Sequence, residues 1–199
     1  DEFLELLIEE EMSREGIVRS PQRMTTTKFR ILGNKTQMLR VDEEKTNPVS
    51  TSEKEKFLEQ VGSLLKKGDV DAIVFQDYDK GIIDKEIIET VISWAKSKDI
   101  PVAADPKKVN FMHYRNTTLF KPNLKELKEG TKTEFEISDR RALEEAVDLL
   151  QEKLSCDMLM VTLSEEGIFL KYRFDGKLKS YQEPAHKREI ADVSGAGDT

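Results

Sequence analysis

Hydrophobic positions change period several times along this chain, and each change marks an element. Phe3, Leu6 and Leu7, with Met12 less regularly, predict an acidic surface helix over residues 1 to about 14. Residues 24–32 and 37–42 mix Thr, Phe, Ile and Val in partial alternation about Gly33-Asn34, which predicts a β-hairpin. Residues 45–52, with Pro48 and several Ser, Thr and Asn, read as a loop. From there helix and strand alternate. Ser52 can cap a helix over 53–67 that turns Phe57, Leu58, Val61, Leu64 and Leu65 to one face. Residues 71–75 form a short apolar run, as expected of a strand buried on both faces. An amphipathic helix over 84–97 leads to a strand at 101–104, and 117–120 predicts a third strand. A long helix from Ser138 to about Leu154 precedes a fourth strand at 158–162. Residues 167–172 and 177–182 then straddle Asp175-Gly176, a hairpin signal.

Repeated strand–helix units predict an α/β fold with a mostly parallel sheet flanked by helices, right-handed crossovers, and ligands beyond the carboxyl ends of the strands. At 199 residues there is room for one such domain, organised as a small hairpin lid at about 23–44 and an α/β core at about 51–199. The chain opens inside a helix-like stretch and stops one residue past a motif suited to launch a helix. The expectation is therefore a portion of a longer polypeptide.

Charge and cysteine content narrow the function classes. A net charge of −7 argues against nucleic acid or an anionic membrane as the main partner. No apolar run is long enough to span a bilayer as a helix. Cys156 is the single cysteine, which excludes an internal disulfide and a cysteine-based zinc cluster, and it reads as a buried thiol in a protein of the reducing cytoplasm. His113 and His186 stand far apart and read as surface or loop residues.

The chemistry-bearing residues follow the predicted strands. They are Gln76-Asp77-Tyr78-Asp79-Lys80-Gly81, Asp105-Pro106-Lys107-Lys108, Lys121-Pro122-Asn123-Leu124-Lys125-Glu126, and Thr162-Leu163-Ser164-Glu165-Glu166-Gly167. Each alone is compatible with an ordinary capped loop; four on one sheet edge suggest a site. Asn123 and Glu126, one helical turn apart, can hold a hydrated Mg²⁺ near phosphates, or form a capping box, or both. The chain closes on Asp192-Val193-Ser194-Gly195-Ala196-Gly197-Asp198. Gly195 and Gly197 let backbone N–H groups converge on an anion, and Asp198 beside them suits a base for an attacking hydroxyl. A tight turn followed by an Asp N-cap fits the same residues.

Asp192–Asp198 resembles the C-terminal signature of the ribokinase-like (phosphofructokinase-B type) sugar kinases, and Asn123-Leu124-Lys125-Glu126 resembles their Asn-x-x-Glu motif. Thr26–Leu32, Leu39–Glu44, Asp77-Tyr78-Asp79-Lys80-Gly81, Asp105-Pro106-Lys107 and Lys121-Pro122-Asn123 look like the kinase part of the bacterial ADP-heptose synthases. The resemblance implies a ribokinase-like fold lacking its N-terminal third and C-terminal end. It implies a cytoplasmic kinase using ATP and Mg²⁺ to phosphorylate the anomeric hydroxyl of D-glycero-β-D-manno-heptose 7-phosphate. Asp198 would be the base and Gly195, Ala196 and Gly197 the anion hole. Asn123, Leu124, Lys125, Glu126, Thr162, Ser164 and Gly167 would lie at the nucleotide, with Mg²⁺ held through water by Asn123 and Glu126. Many members carry glycine where this chain has Ser164. Lys28, Arg30, Lys80 and Lys107 are candidates for the sugar's own phosphate. Pairing of two lids into a homodimer is implied as well, and so is an adenylyltransferase domain fused to or working with the kinase. Another sugar or nucleoside kinase, or a non-catalytic nucleotide-binding module of the same fold, is the competing reading. A dinucleotide-binding unit is disfavoured because the Gly-rich loop comes last.

Overall fold

The computed structural model describes residues 2–33 and 36–185. In order, these form α1 (Glu2–Glu9), β1 (Thr27–Gly33), β2 (Thr36–Glu43), α2 (Thr51–Lys67), β3 (Ile73–Gln76), α3 (Lys85–Lys96), β4 (Val102–Asp105) and β5 (Leu119–Phe120). Then come α4 (Leu124–Thr131), α5 (Arg140–Leu154), β6 (Met158–Thr162), β7 (Ile168–Phe174) and β8 (Lys177–Glu183). The described residues build one six-stranded sheet in the order β3-β4-β5-β6-β7-β8 and a separate two-stranded hairpin, β1-β2. Strands β3 to β6 run parallel, and β7 and β8 turn back antiparallel.

The helices start where local chemistry starts them. Asp84 accepts from Ile87 N and Asp139 from Ala142 N, each satisfying an orphan donor of the first turn. Ser50 caps α2, with Glu53 reaching back to the Ser50 N–H at 2.9 Å, so the cap falls two residues before the expected Ser52. The initial helix ends at Glu9 rather than near residue 14, and its side chains include none that are buried.

One face of the sheet is sealed by helices. Phe75, Val102, Ala104, Phe120, Leu159, Val161 and Phe169 share a single core with Ile87, Ile88 and Val91 of α3 and Leu143, Val147 and Leu150 of α5. Because successive strands are added in one direction, both connecting helical segments fall on that same face. The expectation that residues 71–75 are buried on both faces is therefore corrected. β3 is the sheet's edge strand among the described residues, and Val74, on the face away from α3, is 67% exposed.

The hairpin stands apart, tied to the core through its base. Arg23 donates to Asn47 O at 2.7 Å, to Lys45 O at 2.9 Å and to Lys80 O, while Val49 N donates to Gly81 O at 2.9 Å. Gly81 has φ 72°, and a Cβ there would meet Asn47 O at 2.2 Å. Only glycine lets the loop after β3 lie this close to the segment that leaves the hairpin.

Candidate functional site

The carboxyl ends of β3, β4, β5 and β6 come together, as a parallel sheet requires. Three groups of side chains line that edge.

The first group is a buried polar knot. Asp77, 2% exposed, accepts three hydrogen bonds: from Asp79 N at 2.9 Å, from Asn110 Nδ2 at 3.0 Å and from Tyr114 Oη at 2.8 Å. Asn110 Nδ2 also donates to Ile83 O at 2.9 Å, which fixes the loop that follows β3. Burial first, then the hydrogen bond to Asp77 and that carboxylate's charge, push the Tyr114 hydroxyl far above its ordinary value. Asp79 sits in the left-handed region at φ 53°. Burial first, and the neighbouring Asp77 charge, raise its carboxyl, against a hydrogen bond from Val109 N that lowers it.

The second group lies between hairpin and sheet. A cavity of about 400 Å³ is bounded by Thr26, Lys28, Gln76, Asp77, Tyr78 and Lys80. The Lys28 ammonium lies 5.9 Å from the Tyr78 ring centroid, and Lys80 pairs with Glu44 at 2.5 Å. Strand register places Lys28 opposite Asp42 and Arg30 opposite Arg40, so these four share the hairpin face that bounds the cavity. Arg40 makes a two-pronged bond to Asp42, which lowers that carboxyl, the hydrogen bond counting first. Arg30 faces Arg40 directly, a like-charge pairing that an anion would relieve. The opposite hairpin face carries Phe29, Ile31, Leu39 and Val41, each about half exposed.

The third group surrounds the start of α4. Asn123 Oδ1 accepts from Glu126 N and Glu126 Oε2 accepts from Asn123 N, both at 2.9 Å, a complete capping box. Glu126 Oε1 faces Lys107 Nζ at 3.4 Å. Lys107 also lies 3.9 Å from Asp105 Oδ1, and Asp105 Oδ2 pairs with Lys121 at 3.1 Å. Asn123 forms a lone parallel bridge with Thr162, and Thr162 N donates to Pro122 O at 3.1 Å. Beyond Thr162 the chain makes a short 3-10 turn, Ser164–Glu166. Ser164 adopts φ 54°, the region glycine favours, and Gly167 at φ 89° packs so closely that a Cβ would fall 1.9 Å from Glu183 O.

The structure thus brings Lys28 and Lys80 to one cavity, and Asn123, Glu126 and Thr162 to one turn. Lys107 departs from the lysines it was grouped with and joins Glu126. Leu124 is partly buried against the core, and Lys125 points to solvent beside Glu129. Gly195, Ala196, Gly197 and Asp198 lie outside the described residues, as does His186. Sequence patterning did not reveal Arg23, Asn110, Tyr114 or Glu44, whose roles depend on partners distant in sequence.

Both motif readings of Asn123 and Glu126 remain compatible with this geometry. Among the described residues no group of three or more His, Cys, Asp or Glu side chains is placed to hold a metal ion. Glu126 Oε1 is a hard oxygen of the kind that a hydrated Mg²⁺ takes through water, and its partner here is the Lys107 ammonium at 3.4 Å. A larger concavity, about 660 Å³ beside Trp94 between α2 and α3, lies at the C-terminal end of α3, far from the strand tips. It offers no convergent chemistry. Cys156 is buried, and burial first drives its thiol up to about 12, as for an inert packing group. No described helix is long and apolar enough to cross a membrane.

A family model described as pfkB family carbohydrate kinase matches residues 1–199. A relative named bifunctional protein HldE, from Wolinella succinogenes, is 36% identical over 198 residues, covering all of this chain and 40% of its own length. The Helicobacter pylori protein of that name is 31% identical over 198 residues, covering 99% of this chain and 41% of its own. The chain spans about two fifths of the length of these relatives. Among solved structures, ribokinase from Giardia lamblia aligns with a TM-score of 0.67 at 18% identity, over 100% of this chain and 59% of that one. Phosphofructokinase-2 from Escherichia coli aligns with a TM-score of 0.61 at 21% identity, over 76% and 47% of the two chains. These two likenesses concern the fold.

Proposed function

Because this chain belongs to the pfkB family of carbohydrate kinases, we propose that it transfers phosphate from ATP to the anomeric hydroxyl of D-glycero-β-D-manno-heptose 7-phosphate. The observation that carries the phosphosugar choice is the cavity where Lys28 of the hairpin and Lys80 of the β3 loop meet above the buried Asp77. A sugar bearing its own phosphate needs cations at one end and hydrogen-bond acceptors at the other, and this cavity has both. Arg30, one cross-strand pair further out, extends the basic surface.

In this reading the nucleotide lies along the α4 start and the Thr162–Gly167 turn, where the parallel bridge between Asn123 and Thr162 aligns the two loops. Mg²⁺ bound with ATP would offset the charge of the phosphates. Asp198 accepts the proton of the attacking hydroxyl, and the Gly195, Ala196 and Gly197 amides receive the charge on the transferred group. The half-exposed apolar face of the hairpin supports pairing with a second copy. A fused or cooperating adenylyltransferase domain would fit the greater length of the relatives, and the single buried cysteine fits a cytoplasmic setting.

The test is ATP consumption by the intact protein with heptose 7-phosphate, other phosphosugars and free sugars. Turnover with the heptose phosphate that disappears in Asp198→Asn supports both the substrate and the base. ATP binding without turnover on any sugar would replace this reading with a nucleotide-binding module of the same fold.

A further inference from the structure

We infer that Lys107 contacts the transferred phosphoryl group of ATP rather than the phosphate of the sugar. The inference rests on the kinase reading above and gives one lysine a role distinct from that of Lys28 and Lys80. Three observations carry it.

The first is position. Lys107 lies two residues past the carboxyl end of β4, with Glu126 of the α4 start 3.4 Å from its ammonium, and the same loop reaches the cavity side through Val109 N, which donates to Asp79 Oδ2 at 3.3 Å. It stands between the two half-sites, whereas Lys28 and Lys80 both border the cavity.

The second is the looseness of its bonds. Its bonds are all long: the ammonium donates to Glu126 Oε1 at 3.4 Å and to Pro106 O at 3.3 Å and lies 3.9 Å from Asp105 Oδ1, and the side chain is 37% exposed. Such pairs exchange at little cost, and the long stem gives the ammonium reach.

The third is how the surrounding carboxylates are shared out. Asp105 has its other oxygen on Lys121 at 3.1 Å, and Glu126 has its other oxygen in the capping box. Both are satisfied in part without Lys107. Glu126 Oε1 would be the oxygen to hold a hydrated cation bound with the nucleotide, and the Lys107 ammonium, bound only loosely there, has the reach to contact the γ-phosphate.

The transfer breaks the bond from the γ-phosphorus to the β–γ bridging oxygen and forms one to the sugar oxygen. The hydroxyl proton passes to Asp198 and ADP leaves. Lys107 forms no covalent bond and gives up no proton; it offsets charge on the non-bridging oxygens, which is the main protein contribution in such reactions.

The experiment measures binding of ADP and of a non-hydrolysable ATP analogue, each with Mg²⁺, by titration calorimetry on the intact protein and on Lys107→Met. The variant should bind ADP as the parent does and lose about tenfold or more of the preference for the analogue, the size of one charge-assisted phosphate contact. Lys107→Arg should restore part of it. In turnover, kcat should fall with little change in KM for the sugar phosphate. An unchanged preference for the analogue in a folded Lys107→Met overturns the inference, and so does a rise in sugar-phosphate KM at constant kcat. If the parent protein binds neither nucleotide, the kinase reading itself fails, an outcome separate from any effect of the variant.

Discussion

Tyr114 Oη donates to Asp77 Oδ2 across 2.8 Å, with both side chains buried. This bond joins the chain after β4 to the first residue beyond β3, and it helps hold a carboxylate inside the fold directly beneath the cavity. An anion so placed needs every donor it has, since burying it short of a partner is costly. Tyr114→Phe removes one of three donors and nothing of the ring. The expected loss of stability is roughly 1–3 kcal/mol, read from urea denaturation, with nucleotide affinity unchanged. A variant as stable as the parent would show that Asp77 is satisfied without the hydroxyl.

Gly81→Ala forces a Cβ into the carbonyl of Asn47 and places alanine at a positive φ. The conformational penalty alone is about 1–2 kcal/mol, and the clash adds to it. Since the same contact fixes the base of the hairpin, KM for the sugar phosphate should rise while affinity for ATP holds. Loss of both together would mean that the whole domain, and not the docking of the hairpin, has been disturbed.

Lys28 and Arg30 have a simpler signature. Either residue changed to Met should weaken the sugar phosphate by about tenfold to a hundredfold in KM, the range of a single hydrogen bond to a charged group. Turnover of any free sugar should respond far less. Equal loss on phosphorylated and free sugars would remove these residues from the phosphate end of the substrate.

The cap of α2 gives a pH window. Hydrogen bonds from Ser20 and then Ser50 bring Glu53 down from 4.5 to about 2. A carboxyl lowered on folding adds stability that is fully present above its ordinary value and fades as acid reaches the folded one. The contribution should therefore be present above about pH 4.5 and fade between about 4.5 and 2. Melting temperature followed across that interval should drop more in the parent than in Glu53→Gln. Parallel curves would show that Glu53 is not what the acid titrates.

The legible parts of the fold were those where local rules act alone. The β6 strand has the residues its apolar run suggested, and the helix expected over 84–97 is α3, whose flanking caps are Asp84 and Ser97. The start of α2 was ambiguous for a physical reason. Ser50 and Ser52 both have glutamate three residues on, and Ser20, thirty-three positions from Glu53, decides between them by bonding Glu53. Val74 was misplaced because an apolar run reports only that burial is possible. Which face is covered depends on where the crossovers put their helices. At the site, the turn at Asn123 could be found from its own spacing, whereas the partner of Lys107 could not. A four-carbon stem can reach carboxylates on several loops, and only the packing of β4 against β5 puts Glu126 within range.

A two-stranded ribbon is barely stable in isolation, and this one turns Phe29, Ile31, Leu39 and Val41 away from the domain that its other face borders. The order of the lysine-bearing face is thereby linked by mass action to whatever shelters the apolar face behind it. Under the proposed pairing of two hairpins, dilution, or a reagent that occupies that apolar strip, would change how tightly the proposed substrate is held without touching a single residue of the pocket.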